Sequence, residues 1–252
     1  MIMATLHRNA ADGIHRIEHA HVNLYLVEGD HGEYTVVDAG LPGVWPHLEG
    51  LLGEVGAKPD QIAAVVLTHA HFDHVGAASA IQKEWHLPVW THTDERELAT
   101  HPLRYQHERN RFAVPLTHPR SLPIIARMTL AGALVTRGVH DVEVFDHSRS
   151  LEVPGQPVPV FTPGHTFGHT ALHFPDRDAV ITGDALVTLD PYTGGTGPQI
   201  VSGAATADSA QALESLAVLR NTNARIVLPG HGEAWTRGIA DATDLARDRG
   251  PH

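Results

Sequence analysis

The chain contains no cysteine, which rules out disulfides, thiolate metal ligands and a cysteine nucleophile and leaves the fold indifferent to its redox surroundings. It also lacks long apolar runs: nothing approaches the ~20 residues of a membrane-spanning helix. Met1 to Gly13, with Arg8 and Asp12 inside it, has no apolar stretch of signal-peptide length. These absences set the expectation of a soluble, cytoplasmic protein with no membrane partner. Positive charge is scarce as well, with 18 Lys and Arg against 29 Asp and Glu and a formal net charge of -11. Bound divalent cations, each adding about two charges, would still leave the chain acidic. No basic run interleaved with aromatics occurs, so a nucleic-acid partner is disfavoured and a small-molecule substrate is expected. Nothing in the composition sets an oligomeric state.

What is abundant is histidine, at 21 of 252 residues. Histidine is the commonest metal ligand but also a common surface residue, so spacing must decide its role. The apolar share of 42% suffices for a full core, and the length suits a single large α/β domain over residues 1–252.

Along the chain, His21 to Val27 and Tyr34 to Val37 read as strands joined by the turn Glu28-Gly29-Asp30-His31-Gly32. Trp45 to Val55 has helical spacing, Ile62 to Leu67 reads as a strand covered on both faces, and a helix over Val75–Trp85 and a strand over Leu87–Trp90 follow. Residues 93–142 differ: rich in arginine and punctuated by proline, they read as a helical or irregular insertion, either solvated or lying over the face that the strand ends present. Strand signals resume from Val144, Leu151 to Phe161 is Pro-punctuated, Ala171 to Phe174 and Ala179 to Ile181 are short apolar runs, Ser209 to Leu219 is a helix, and Arg225 to Leu228 closes the strands. The two halves look alike in layout, which predicts an α/β fold: a four-layer αββα sandwich of two mixed sheets flanked by helices.

The chemistry concentrates in Thr68-His69-Ala70-His71-Phe72-Asp73-His74-Val75-Gly76, directly after the buried strand. Alternate residues of an extended stretch share a side, so His69 and His71 can reach one metal while Asp73 and His74 aim at a second point nearby. Chance yields H-x-H-x-D-H on the order of once per hundred such His-rich chains. Three further segments place a ligand type where a strand gives way to a loop: His165 in Thr162-Pro163-Gly164-His165-Thr166-Phe167-Gly168-His169-Thr170, Asp184 in Ile181-Thr182-Gly183-Asp184-Ala185, and His231 in Pro229-Gly230-His231-Gly232. The N/O donor set suits two divalent ions, zinc first, with iron, manganese or nickel also fitting.

These segments, in this order over nearly the whole chain, resemble the metallo-β-lactamase superfamily. The resemblance implies that His69, His71 and His165 bind one metal, that Asp73, His74 and His231 bind the other, and that Asp184 bridges them. It implies that His169 is a neighbour holding the turn, and that Asp38 lies under the site and orients a ligand histidine, although Asp38 could equally cap the turn before Gly40. The implied chemistry is attack by a metal-bound hydroxide, with Asp73 as the catalytic residue that orients it and relays its proton. Tyr192, on the Gly-rich loop after Asp184, is a candidate substrate hydrogen-bond donor or simply a turn-packing residue. His101, His107 and His118 read as solvated. Dedicated β-lactamases of this pattern usually lack the bridging carboxylate, and the basic, aromatic C-terminal set of glyoxalase II-type thioesterases is missing from Gly232 to His252. The leading expectation is therefore hydrolysis of an ester, lactone or thioester. β-Lactam hydrolysis, phosphodiester hydrolysis, and persulfide oxidation at a single iron held by His69, His165 and Asp184 remain alternatives.

Overall fold

The computed structural model describes residues 2–252. The chain runs β1 (Thr5–Ala11), β2 (Ile14–His19), β3 (Val22–Glu28), β4 (Tyr34–Val37), α1 (Trp45–Glu54), β5 (Ile62–Val66), α2 (Ala78–Trp85), β6 (Val89–His92), α3 (Arg96–Thr100), α4 (Ala113–Thr117), α5 (Leu122–Leu130) and β7 (Val142–Phe145). Its second part comprises β8 (Val158–Phe161), β9 (Thr170–Phe174), β10 (Ala179–Gly183), β11 (Val187–Leu189), β12 (Thr196–Gln199), α6 (Ser209–Arg220), β13 (Ile226–Pro229) and α7 (Ile239–Arg249).

Strands β1 to β7 form one seven-stranded sheet in sequence order, and a second sheet has the order β13-β10-β9-β8. Both are mixed: β1 to β4 pair antiparallel and β4 to β7 parallel, while β10 pairs parallel with β13 and antiparallel with β9. The alternation of strand side chains builds the layers. Tyr25, Val27, Val37, Ala64 and Val66 point to the space between sheets and meet Leu172, Phe174, Ile181 and Leu228 there. Their neighbours Leu24, Leu26, Val36 and Val65 point the other way, onto Leu48, Leu51 and Leu52 of α1 and Ile81 of α2. On the far side, Ala171, Val180 and Val227 pack against Leu216 and Leu219 of α6 and Ala242 and Ala246 of α7. The result is the expected four-layer sandwich.

The halves are less alike than their apolar runs imply, seven strands against four. Helix α2 starts at Ala78 because Val75 to Ala77 is a tight turn held by Gly76 N–H donating to Gly40 O at 2.8 Å. A Cβ on Gly76 would stand 2.3 Å from that oxygen. Val142 belongs to β7, so the segment preceding it is a helical crossover between the parallel strands β6 and β7. That crossover is tied to the other half of the chain, where Arg109 N–H donates to Gly203 O at 2.8 Å and Glu108 accepts from Ser209 N–H at 2.9 Å, at the start of α6.

One contact fixes the two sheets at the end where the ligand residues gather. Tyr25 on β3 is fully buried and its hydroxyl donates to Pro229 O at 2.6 Å, while Asn23 Nδ2 donates to the same oxygen at 2.9 Å and to Gly232 O at 2.8 Å. The loop carrying His231 is thereby clamped from the opposite sheet. Because Asn23 still satisfies Pro229 O, Tyr25→Phe should cost about 1 kcal/mol, seen as a lower urea midpoint at unchanged m-value; an unaltered midpoint would show that the clamp carries no stability.

Candidate metal centre

Each candidate ligand follows the C-terminal end of a strand: the H-x-H-x-D-H segment after β5, His165 after β8, Asp184 after β10 and His231 after β13. Three triads have donor atoms within 4.8 Å of one another: His69, His71 and His165; His69, His74 and Asp184; and Asp73, His74 and His231. All seven residues are buried. Asp184 lies between the groups, with Oδ1 3.5 Å from His74 Nε2 and Oδ2 3.5 Å from His165 Nε2 and 3.2 Å from His231 Nε2. Asp73 Oδ2 lies 3.3 Å from His231 Nε2. Gly230 allows this crowding, since a Cβ there would stand 2.1 Å from Asp184 Oδ1.

Hydrogen bonds behind the cluster set its tautomers. Asp38 Oδ2 accepts from His74 Nδ1 at 2.9 Å, and His21 O accepts from His231 Nδ1 at 2.7 Å. Thr68 Oγ1 donates to Asp38 at 2.9 Å and therefore accepts from His69 Nδ1 at 3.1 Å. Thr206 Oγ1 donates to Val201 O at 2.7 Å and accepts from His165 Nδ1 at 3.2 Å. In these four rings Nδ1–H is spent outward and Nε2 faces inward. His71 is turned the other way, its Nδ1 facing His165 Nε2 at 2.9 Å. Nε2 of His69 and His74 and Oδ1 of Asp184 are buried without a hydrogen-bond partner. Buried polar atoms are rarely left so, and a cluster of unpartnered imidazole nitrogens and a carboxylate oxygen fits bound cations.

His169 is different. Its Nε2 accepts from Asp184 N–H at 3.0 Å, and its Nδ1 donates to Thr162 Oγ1 at 2.8 Å. Both ring nitrogens are occupied, so the imidazole fixes the backbone of Asp184 and has no lone pair left for an ion. Asp38, at φ 61°, carries more than a turn, accepting from Thr68 N–H at 2.8 Å as well as from His74. Tyr192 sits at the margin of the cluster, its hydroxyl 3.0 Å from that of Tyr105, whose ring lies 4.5 Å from the His71 ring. His101, His107 and His118 belong to none of the triads.

Two residues at the site escape sequence reasoning. Glu95 is buried, accepting from Ala70 N–H through Oε2 at 2.8 Å and from Gly168 N–H through Oε1 at 2.9 Å. It thereby pins the His69-Ala70-His71 stretch to the loop bearing His165 and His169. Thr206 lies 41 residues beyond the histidine it orients. Neither sits in a motif, and only the fold brings them in; Thr68, by contrast, adjoins His69 and was open to suspicion from its position.

The electrostatics divide the cluster. Burial pushes the His69 and His165 pKa values well below the ordinary range, helped by neighbouring histidines, and burial takes His71 down to about 4 and His169 to about 3. These rings are neutral at pH 7. Burial acts against a proton on His74 and His231 too, but Asp184, with Asp38 at His74 and Asp73 at His231, outweighs it. His74 is raised to about 9 and His231 is raised well above its usual value. Burial would raise both carboxylates, yet the surrounding histidines hold Asp73 below its usual value and Asp184 well below it. Anionic carboxylates facing protonated imidazoles are a site where cations displace protons.

A two-sheet αββα sandwich with these converging triads defines a binuclear metal-binding hydrolase. The chain belongs to the metallo-beta-lactamase superfamily, whose family model matches residues 19–231. It is 28% identical over 258 residues to the probable metallo-hydrolase YflN of Bacillus subtilis (strain 168), covering 94% of this chain and 91% of that one. To the probable metallo-hydrolase YqgX of the same organism it is 30% identical over 181 residues, covering 69% and 68%. Among solved structures it resembles TTHA1623 in a di-iron-bound form, with a TM-score of 0.60 and 26% identity over 88% of this chain and 93% of that one.

The raised His74 pKa gives the metal-free centre a pH dependence of definite sign. Stabilisation from its charge pairs is fully present below pH 6.5 and is lost as pH rises through about 9. Affinity for a divalent cation runs oppositely, rising over the same interval as protons cease to compete. Titration calorimetry in two buffers of different ionisation enthalpy should show proton release on binding and tightening from pH 6.5 towards 9; constant affinity without proton release would contradict this electrostatic picture.

Proposed function

We propose that the protein hydrolyses an ester, lactone or thioester, with His69, His71 and His165 holding one divalent ion, Asp73, His74 and His231 holding a second, and Asp184 serving both. The observation that carries this reading is the placement of Asp184, whose two oxygens face histidines of both sets. Two ions held there supply Lewis acidity for the scissile carbonyl and a water acidified to a pKa of about 7.

The protein's own groups do the rest. Asp38 and His21 O fix the rings of His74 and His231, and His169 fixes Asp184. Before metal binds, the His231 hydrogen bond and the charges of His74 and His231 hold Asp73 ionised against its burial; a bound cation would take over that part once the histidine protons are displaced. Its part would be to orient the attacking water and relay a proton from it to the leaving group. No covalent intermediate is required.

Zinc suits a set of five imidazoles and two carboxylates, and manganese or nickel binds such sets too. The di-iron form of TTHA1623 supports an iron pair as the second reading of the metal. Persulfide oxidation at one iron would engage only His69, His165 and Asp184, and the second complete triad of Asp73, His74 and His231 favours hydrolysis. A small-molecule substrate and a cytoplasmic location complete the proposal; no helix among the described residues is long and apolar enough to cross a membrane.

Asp73→Asn keeps the shape and removes the charge. Reconstituted to full metal occupancy, it should lose about two orders of magnitude in kcat on an alkyl ester, and less on a nitrophenyl ester of the same acid, whose leaving group needs no proton. An equal loss on both would confine Asp73 to holding metal and positioning water. Absence of any ester, lactone or thioester turnover by the metal-loaded wild type would overturn the substrate class.

A further inference from the structure

A cavity of about 360 Å³ lies between α5, the Tyr105 segment and the hairpin of β11 and β12. Its wall nearest the metal centre is Phe72, from the ligand segment itself, together with Tyr105 and Tyr192; the opposite wall is Leu122, Ile125 and Met128 of α5. It contains no acidic side chain, and its one cation, Arg111, stacks on two of the cavity's own rings, its guanidinium 5.1 Å over Tyr105 and 5.3 Å over Phe112. A cationic ligand would find no acidic partner there, and an anionic one only the stacked Arg111 guanidinium in a wall that is otherwise apolar and aromatic. An uncharged apolar one would bury its surface against leucine, isoleucine, methionine and aromatic rings.

The cavity also has a direction. Tyr105 touches the His71 ring on one side and lines the cavity on the other, and its hydroxyl meets that of Tyr192 at 3.0 Å. One of the two O–H protons is spent between the hydroxyls and the other is left to donate, so the cavity turns polar where it approaches the metal centre. A second cavity, of about 330 Å³, borders Tyr105 and His165 but is lined by Asp94, Glu97, His101 and Arg104. Its charges make it a poor place for a hydrocarbon chain.

We propose that the cavity between α5 and the Tyr105–Tyr192 pair binds the apolar chain of the substrate, an uncharged acyl or alkyl group of medium length whose carbonyl emerges past the two tyrosine hydroxyls at the metal centre. This rests on the hydrolase reading for its catalytic consequence, but binding of the chain can be measured without turnover. The probes are straight-chain primary alcohols from butanol to decanol, which carry no carboxylate to ligate metal, titrated calorimetrically into the metal-loaded protein. Nitrophenyl esters from acetyl to octanoyl form the activity arm.

Affinity should rise with chain length by up to about fourfold per methylene until the cavity is full, and KM for the esters should fall in parallel while kcat changes little. Ile125→Trp fills the cavity from α5 and should weaken octanol at least tenfold, leaving kcat/KM for the acetyl ester within about twofold. Leu122→Trp, at a position 46% exposed, repeats the test where folding is not at stake. Alcohol binding independent of chain length, or tryptophan variants that affect octanol and acetyl ester alike, would overturn the proposal whatever the turnover. Length-dependent binding without hydrolysis of any ester would uphold the cavity assignment and count against the hydrolase reading alone.

Discussion

Four buried imidazoles that spend their Nδ1 protons on partners outside the cluster are the constraint on which the site depends. Once Asp38, Thr68, Thr206 and the carbonyl of His21 have taken those protons, Nε2 of His69, His74, His165 and His231 faces inward, as a lone pair on the neutral rings of His69 and His165 and as an N–H on those of His74 and His231 until a cation displaces the proton. The lone pair of His69, buried with no partner, is costly to leave so. A divalent cation would relieve that cost. The outer hydrogen bonds and the ligands are thus one structure, with the partners drawn from the end of β4, the β2–β3 turn, the end of β5 and the loop before α6.

That structure needs both sheets. Tyr25 and Asn23 reach from β3 to the loop carrying His231, and Glu95 joins the H-x-H stretch to the loop carrying His165. The core between the sheets, built from alternate residues of β3, β4, β5, β9 and β10, keeps these strand ends in register. Asp184 illustrates the dependence. Its backbone is held by His169, its side chain fits because Gly230 leaves room, and its charge is held by histidines from three different loops.

Much of this was legible in the sequence, because two kinds of signal there are local. Strands β5, β10 and β13 are short apolar runs, and a candidate ligand follows each of them; periodicity and spacing suffice to find both. What escaped is non-local or weakly patterned. Strands β11 and β12 form a short hairpin around Tyr192 with little apolar alternation, and α7 ends the chain with Asp241, Asp244, Arg247, Asp248 and Arg249 diluting its buried face of Ile239, Ala242 and Ala246. Glu95 and Thr206 show no motif because their meaning lies in which loops they join. Asp38 could be read as a turn cap or as a support for a histidine, and only the 2.9 Å contact with His74 Nδ1 separates the two.

The account stands on one shared centre, in which Asp184 faces both sets of histidines. Elemental analysis of the wild-type protein, saturated with a single divalent metal and then freed of loosely held ions, tests it most directly. Close to two ions per chain is the predicted result, falling towards one or none when Asp184 is replaced by asparagine. One tightly held ion in the wild type under the same metal-replete conditions would contradict it.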